Sequence, residues 1–148
     1  MNILIVDDIA INRKLLRVTL EAEGHTTLEA ADGIEALQIL AHETVDAVIS
    51  DILMPNMDGF RLCHEIRKNE RLRTLPFVIY TATYTSPEDM KLAQTVGADK
   101  YLTKPAPTAD VLKALREVMA KKAARPAPSS PVVEEAYVLQ QYSQALVR

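Results

Sequence analysis

Five side chains suited to phosphate chemistry stand at the ends of short apolar runs. Asp7 and Asp8 follow NILIV, Asp51 follows DAVIS, Thr81 closes FVIYT, and Lys104 comes just after KYL. Gathered in one place, three carboxylates repel: a pair about 4 Å apart costs about 4 kcal/mol at an effective dielectric near 20. A hard divalent cation relieves that repulsion, and Mg2+ suits carboxylates that share it with phosphate oxygens and water. A hydroxyl and an ammonium supply the donors that a transferring phosphoryl group needs. His25, His42 and His64 fall outside this set and lack metal-ligand spacing. The carboxylate itself is therefore the attacking group. Taken singly, each residue has an ordinary role: a helix cap for Asp7 or Asp8, a turn acid for Asp51, a strand position for Thr81, a solvated amine for Lys104. Their joint placement carries the argument.

That placement depends on the elements between them. Asn2–Val6, Thr26–Ala30, Asp46–Ser50, Phe77–Thr81 and Lys100–Leu102 read as strands, short and apolar or β-branched. Between them lie amphipathic segments. The first carries Ile11, Leu15, Val18 and Ala22 on one helical face, and Gly24 is placed to end it. Asp32 opens a helix through Leu40 with the spacing of a capping box to Glu35. Asp58 caps a helix with Phe60, Cys63 and Ile66 on one face. Ser86-Pro-Glu-Asp89 opens another, ending near Gly97, and Thr108 caps a last one carrying Val111, Leu115 and Val118. Five βα units with short connections predict an α/β fold, a doubly wound five-stranded parallel sheet with helices on both faces. Ligands bind such sheets at the carboxyl ends of the strands, where the five side chains stand.

At these residues the chain resembles the receiver domain of two-component response regulators. The resemblance covers Met1 to about Lys121 and rests on LIVDD, DILMPNMDG, YTA and DKYLTKP, in that order. It implies strand order 2-1-3-4-5 with five helices, as in chemotaxis regulators of flavodoxin-like fold. It makes Asp51 the phosphoacceptor for a histidine kinase or histidine phosphotransfer protein. Mg2+ would be held by Asp8 directly, by Asp7 mainly through water, by Asp51, and by the backbone carbonyl of Leu53. Lys104 would pair with the phosphoryl oxygens, and Thr81 would move in to bond one of them as Tyr101 turns inward. On this view phosphorylation gives Thr81 and Lys104 partners that exist only in the modified state, and the Lys104–Pro105 peptide is cis. The face made by the fourth helix, fifth strand and fifth helix would change most. The domain would be a phosphoacceptor that assists its own phosphorylation and dephosphorylation rather than an enzyme on other substrates. Leu53 and Thr83 hold the positions that set phosphoryl loss in the family. Neither is an acid or amide that positions water well, so a long-lived phosphoryl group is expected.

Composition narrows the alternatives. The 148 residues carry a net charge of −3, with 48% hydrophobic and 25% charged positions, as an ordinary globular chain does. That balance argues against direct nucleic-acid binding, which leaves a basic footprint. One cysteine, Cys63, cannot form an internal disulfide and suits a reducing cytoplasm, where it reads as a small buried hydrophobe. No run is long and apolar enough for a membrane span. Residues 1–122 form the expected domain. Residues 123–131 read as a Pro/Ala/Ser-rich linker, and 132–148, with Leu139, Tyr142 and Leu146 at helical spacing, as the start of a signalling helix leading to an output domain in a longer parent chain. A homodimer is compatible with that arrangement. The competing functions are a degenerate receiver that binds partners without phosphorylation, and an aspartate-nucleophile phosphatase. The latter expects DxD at the first strand, where this chain has adjacent Asp7-Asp8. A nucleotide switch would need a GxxxxGK[ST] loop, which is missing.

Overall fold

The computed structural model describes residues 1–83 and 85–124. Five strands, β1 (Asn2–Val6), β2 (Thr26–Ala30), β3 (Ala47–Ser50), β4 (Phe77–Thr81) and β5 (Lys100–Thr103), alternate with five helices. These are α1 (Ala10–Ala22), α2 (Gly33–His42), α3 (Gly59–Lys68), α4 (Pro87–Val96) and α5 (Thr108–Ala124). The sheet is entirely parallel, in the expected order β2-β1-β3-β4-β5.

Alternation along each strand divides the core into two layers. Leu4, Val6, Val48, Phe77 and Ile79 point to one side, where they meet Leu40, Phe60, Cys63, Ile66 and Leu92 of the middle helices. Ile3, Ile5, Ala47, Ile49 and Val78 point to the other and meet Leu16, Leu20, Val111, Leu115 and Val118. A strand covered on both faces has no polar side to show, so the central strands read as continuous apolar runs.

The helix starts follow local chemistry. Asp32 accepts from the Glu35 amide, and Asp58 accepts from the Arg61 amide. Ser86 and Asp89 form a reciprocal capping box behind Pro87, and Gly97 ends that helix at φ 102°. Helix α1 differs. It starts at Ala10 with Ile9 as a cap residue that makes no side-chain bond, so neither Asp7 nor Asp8 serves as its cap. Asp8 is left exposed, while Asp7 is buried.

The buried face of α1 is also not the expected one. Leu16 and Leu20 are 8% and 0% exposed, whereas Ile11, Leu15 and Val18 are 57%, 62% and 56% exposed. The helix carries two apolar stripes, and periodicity cannot choose between them. The sheet chooses the stripe that also brings Arg13 and Arg17 to Glu29 on β2, at 3.1 and 3.2 Å. The stripe through Ile11, Leu15 and Val18 is left in solvent. The expected linker and signalling helix fall almost wholly outside the described residues; α5 itself runs through Ala124.

Candidate phosphoryl-transfer site

The strand ends deliver the side chains to one edge of the sheet. The peptide N–H of Asp51 donates to Val6 O at 2.9 Å, which continues the β1–β3 ladder and fixes the residue just past the strand. Gly59 sits directly behind it. A Cβ there would collide with the backbone carbonyl of Asp51, so the loop returns against the strand end only because this position lacks a side chain. The same loop is tied to α2: Asn56, at φ 67°, donates to the Asp32 carboxylate at 2.7 Å, and Gly33 N–H donates to Met57 O at 3.0 Å. The Asp32 carboxyl is held below its ordinary pKa, chiefly by the bond from the Glu35 amide and next by that from Asn56.

The Asp51 carboxylate is held on both oxygens. Its Oδ1 accepts from the Ile52 amide at 2.6 Å and from the Thr81 hydroxyl at 2.7 Å. Its Oδ2 accepts from Lys104 Nζ at 2.9 Å, and the same ammonium donates to Asp7 Oδ2 at 2.7 Å. These side chains are sheltered: Asp7 is 3% exposed, Asp51 12% and Lys104 16%. Burial works against the charge on Lys104, but its bonds to Asp7 and Asp51 outweigh that and hold its pKa above the usual lysine value. The Lys104 amide donates to Thr81 O at 2.9 Å, and the Lys104–Pro105 peptide is cis, as expected.

Asp7, Asp51, Thr81 and Lys104 are thus brought together. Thr81 and Lys104 already bond the unmodified Asp51. The reason is that Asp51 is itself an anion with acceptor capacity to fill. Asp8 is exposed, as is the side chain of Leu53, so only the carbonyl of Leu53 is suited to a role here. Tyr101 is half-buried beside the core, and its phenol is pushed up to about 12, first by burial and then by the charge of Asp51. Thr83, two residues past Thr81, touches it: the hydroxyls lie 3.2 Å apart and the Thr83 amide donates to Thr81 Oγ1.

Among the described residues, no group of three or more His, Cys, Asp or Glu side chains is spaced to hold a metal ion. Lys104 stands between Asp7 and Asp51 and neutralises charge there itself. The donor chemistry nevertheless fits a hard cation. Three donors occupy Asp51, whose two oxygens offer about four acceptor sites, and Asp8 adds an exposed carboxylate.

Sequence reasoning overlooked Arg13. Its Nη1 donates to the backbone carbonyl of Asp7 at 2.7 Å while its Nε donates to Glu29 at 3.1 Å. An arginine on an amphipathic helix gives no sequence signal for such a role. Cys63 is fully buried, and burial pushes its thiol up to about 12, so it is packing rather than chemistry, as expected.

Comparison with known proteins agrees with this geometry. The family model of the response regulator receiver domain matches residues 3–116. The sensor histidine kinase RcsC of Salmonella typhimurium is 43% identical over 122 residues, which are 82% of this chain and 12% of that protein. The response regulator MprA of a Mycobacterium species is 33% identical over 133 residues, 90% of this chain and 56% of the relative. The chain therefore spans only part of these relatives. Among solved structures, the chemotaxis response regulator CheY4 of Vibrio cholerae superposes with a TM-score of 0.74 at 35% identity, covering 79% of this chain and 97% of that one. A receiver domain of a signal transduction histidine kinase from Syntrophus aciditrophicus gives 0.76 at 30% identity, covering 87% and 97%.

Proposed function

The chain belongs to the response regulator receiver domain family, and from that premise we propose that Asp51 takes a phosphoryl group from the phosphohistidine of a histidine kinase or phosphotransfer protein. An Asp51 carboxylate oxygen attacks phosphorus, the P–N bond breaks, and its electron pair stays on the donor imidazole, so no base on this chain is required. One observation carries the reading: a single carboxylate at a strand end, held by a hydroxyl and an ammonium that are the donors a phosphoryl group would need. Thr81 and Lys104 fix the attacking group and stand ready for the oxygens that arrive with the phosphorus.

Mg2+ would be held by Asp8, by Asp51 and by the Leu53 carbonyl, with Asp7 reached mainly through water. It supplies charge neutralisation for the transferring group. Thr81 and Tyr101 form the switch, and the face of α4, β5 and α5 is the surface that responds. Residues 1–122 act as the signalling unit, with residues 123–131 as linker and 132–148 as the start of a helix toward an output domain. The setting proposed is the cytoplasm, with a homodimer compatible, and no step requires nucleic acid or a membrane. No helix among the described residues is long and apolar enough to cross one.

The exposed stripe of Ile11, Leu15 and Val18 fits the approach of the donor. Leu15 also lines a groove of about 400 Å3 that runs between α1 and α5 to Lys104 and is mostly apolar. A donor whose histidine lies on a helix would lay that helix along α1 and reach Asp51 from the groove. This is helix-in-groove recognition with the reacting residue at one end.

The second reading, a degenerate receiver, predicts no response to phosphoryl mimics. Beryllofluoride with Mg2+ should bind the native chain and shift the amide resonances of Thr81 and Tyr101; a silent spectrum favours the degenerate reading. Acetyl phosphate should label the native chain and leave Asp51→Asn unlabelled. Label surviving elsewhere on Asp51→Asn overturns the assignment.

A further inference from the structure

Asp7 and Asp8 are consecutive, yet their side chains have different tasks: one is buried against Lys104 and the other faces solvent. The peptide that joins them must therefore be held firmly, because its rotation would swing both carboxylates. The Asp7 N–H is bonded to Ala30 O at 3.1 Å, and the Asp7 Oδ1 accepts from the Ile9 amide at 2.9 Å. The carbonyl of that peptide is held by Arg13. Its side chain is 20% exposed, and the guanidinium donates from Nη1 to Asp7 O at 2.7 Å and from Nε to Glu29 Oε1 at 3.1 Å. Arg17 grips the other oxygen of Glu29 at 3.2 Å but makes no bond to the loop.

We propose that Arg13 is a positioning residue that fixes the Asp7–Asp8 peptide, with Glu29 on β2 as its anchor, so that the Asp8 carboxylate is presented to Mg2+ in a single orientation. The inference rests on the proposed metal role of Asp8 and says what keeps that ligand ready. A planar guanidinium can hold a carbonyl and a carboxylate at once, in fixed relative directions; a lysine ammonium carries no such fork. Holding a metal ligand through an outer hydrogen bond changes affinity about 10–100-fold in characterised sites.

The sign of the effect separates this role from simple charge. Removing a cation from beside a cation site should tighten Mg2+ binding on electrostatic grounds. Removing a positioning bond should weaken it. Mg2+ titrations of the full chain by calorimetry, with melting temperatures measured in parallel, decide between them. Arg13→Met, which keeps the packing of the stem, should raise the Mg2+ Kd about tenfold. The rate of labelling by acetyl phosphate at saturating Mg2+ should stay close to native. Arg13→Lys should recover part of the lost affinity, and Arg17→Met should leave it within about twofold of native, since it removes a similar charge but no loop bond. An unchanged or tighter Kd in Arg13→Met overturns the inference. So does an equal weakening in Arg17→Met, which would make the effect one of general stability. If Arg13→Met fails to fold, Glu29→Gln tests the same anchor and should weaken Mg2+ in the same direction; unaltered affinity there refutes it. A native chain that binds no Mg2+ removes the metal site itself, and the inference with it.

Discussion

Replacing Lys104 by methionine should destabilise the domain and make it more responsive to Mg2+. The native ammonium is shared by Asp7 at 2.7 Å and Asp51 at 2.9 Å, all three side chains being at least four-fifths sheltered. Deleting one member of a buried ion pair costs about 3–5 kcal/mol, because the partner charge is left uncompensated. Here two carboxylates lose the same cation, but residual solvent at Asp51 and Lys104 screens them, so about 2–3 kcal/mol is expected. For a domain of this size that corresponds to a fall in melting temperature of about 10 °C.

Thermal unfolding followed by circular dichroism, with and without Mg2+, tests the argument. Added Mg2+ should raise the melting temperature of Lys104→Met more than that of the native chain, because the metal now supplies charge that Lys104 no longer does. Alkali acts on the native chain through Lys104 itself. Its folded pKa lies above the ordinary 10.5, so its stabilisation is complete below that value and is lost as pH rises through the raised one. Neutral pH lies on the plateau. As a control, Lys100→Met, whose exposed amine pairs with Glu117 across the surface, should barely move the melting point. A Lys104→Met protein that melts with the native chain, or that gains no more from Mg2+, would show that the bridge is not what balances these carboxylates.

Two further outcomes follow from the same site. Leu15→Asp should slow phosphorylation by a cognate histidine donor about tenfold or more while leaving labelling by acetyl phosphate unchanged, since it places a charge on the donor surface and not in the site; equal slowing with both donors would refute the α1 approach. The aspartyl phosphate should persist for minutes or longer with Mg2+ at neutral pH, because neither Leu53 nor Thr83 positions water for attack. Loss of radiolabel within seconds would sink that expectation.

The strands and most helix starts were legible because their signals are local. A β-branched run buried on both faces needs no partner to be recognised, and Asp58 and Ser86 cap their helices through bonds three residues away. The packed face of α1 was not legible, because Ile11, Leu15 and Val18 satisfy helical spacing as well as Leu16 and Leu20 do. What decides is packing against the sheet and α5, with the pairing of Arg13 to Glu29, sixteen residues on in the chain, accompanying it. That Asp7, Asp51, Thr81 and Lys104 would be neighbours was readable from sequence, since strand ends converge in a parallel sheet. Their connections were not: that one ammonium serves both Asp7 and Asp51 depends on the side-chain directions of three separate loops.

Those connections alter the argument for switching. A ligand or modification shifts a two-state domain only by its differential interaction with the two states. Thr81 and Lys104 already bond Asp51, so under the proposed function a phosphoryl group there would change the terms of existing bonds rather than recruit idle groups. The phosphoryl group carries more negative charge and more acceptors than a carboxylate. It would therefore compete for the ammonium that Asp7 shares and for the Thr81 hydroxyl, which now bonds Asp51 Oδ1 and lies 3.2 Å from that of Thr83. Thr81 is paired with Thr103 on β5, and Ile79 with Tyr101, so a pull on the end of β4 is felt by the neighbouring edge strand. Tyr101 is partly buried against the core in the unmodified state. On the proposed function, the free energy of the switch would come from changing contacts already in place, and the β4–β5 pairing would carry it from Thr81 to the β5 edge of the sheet.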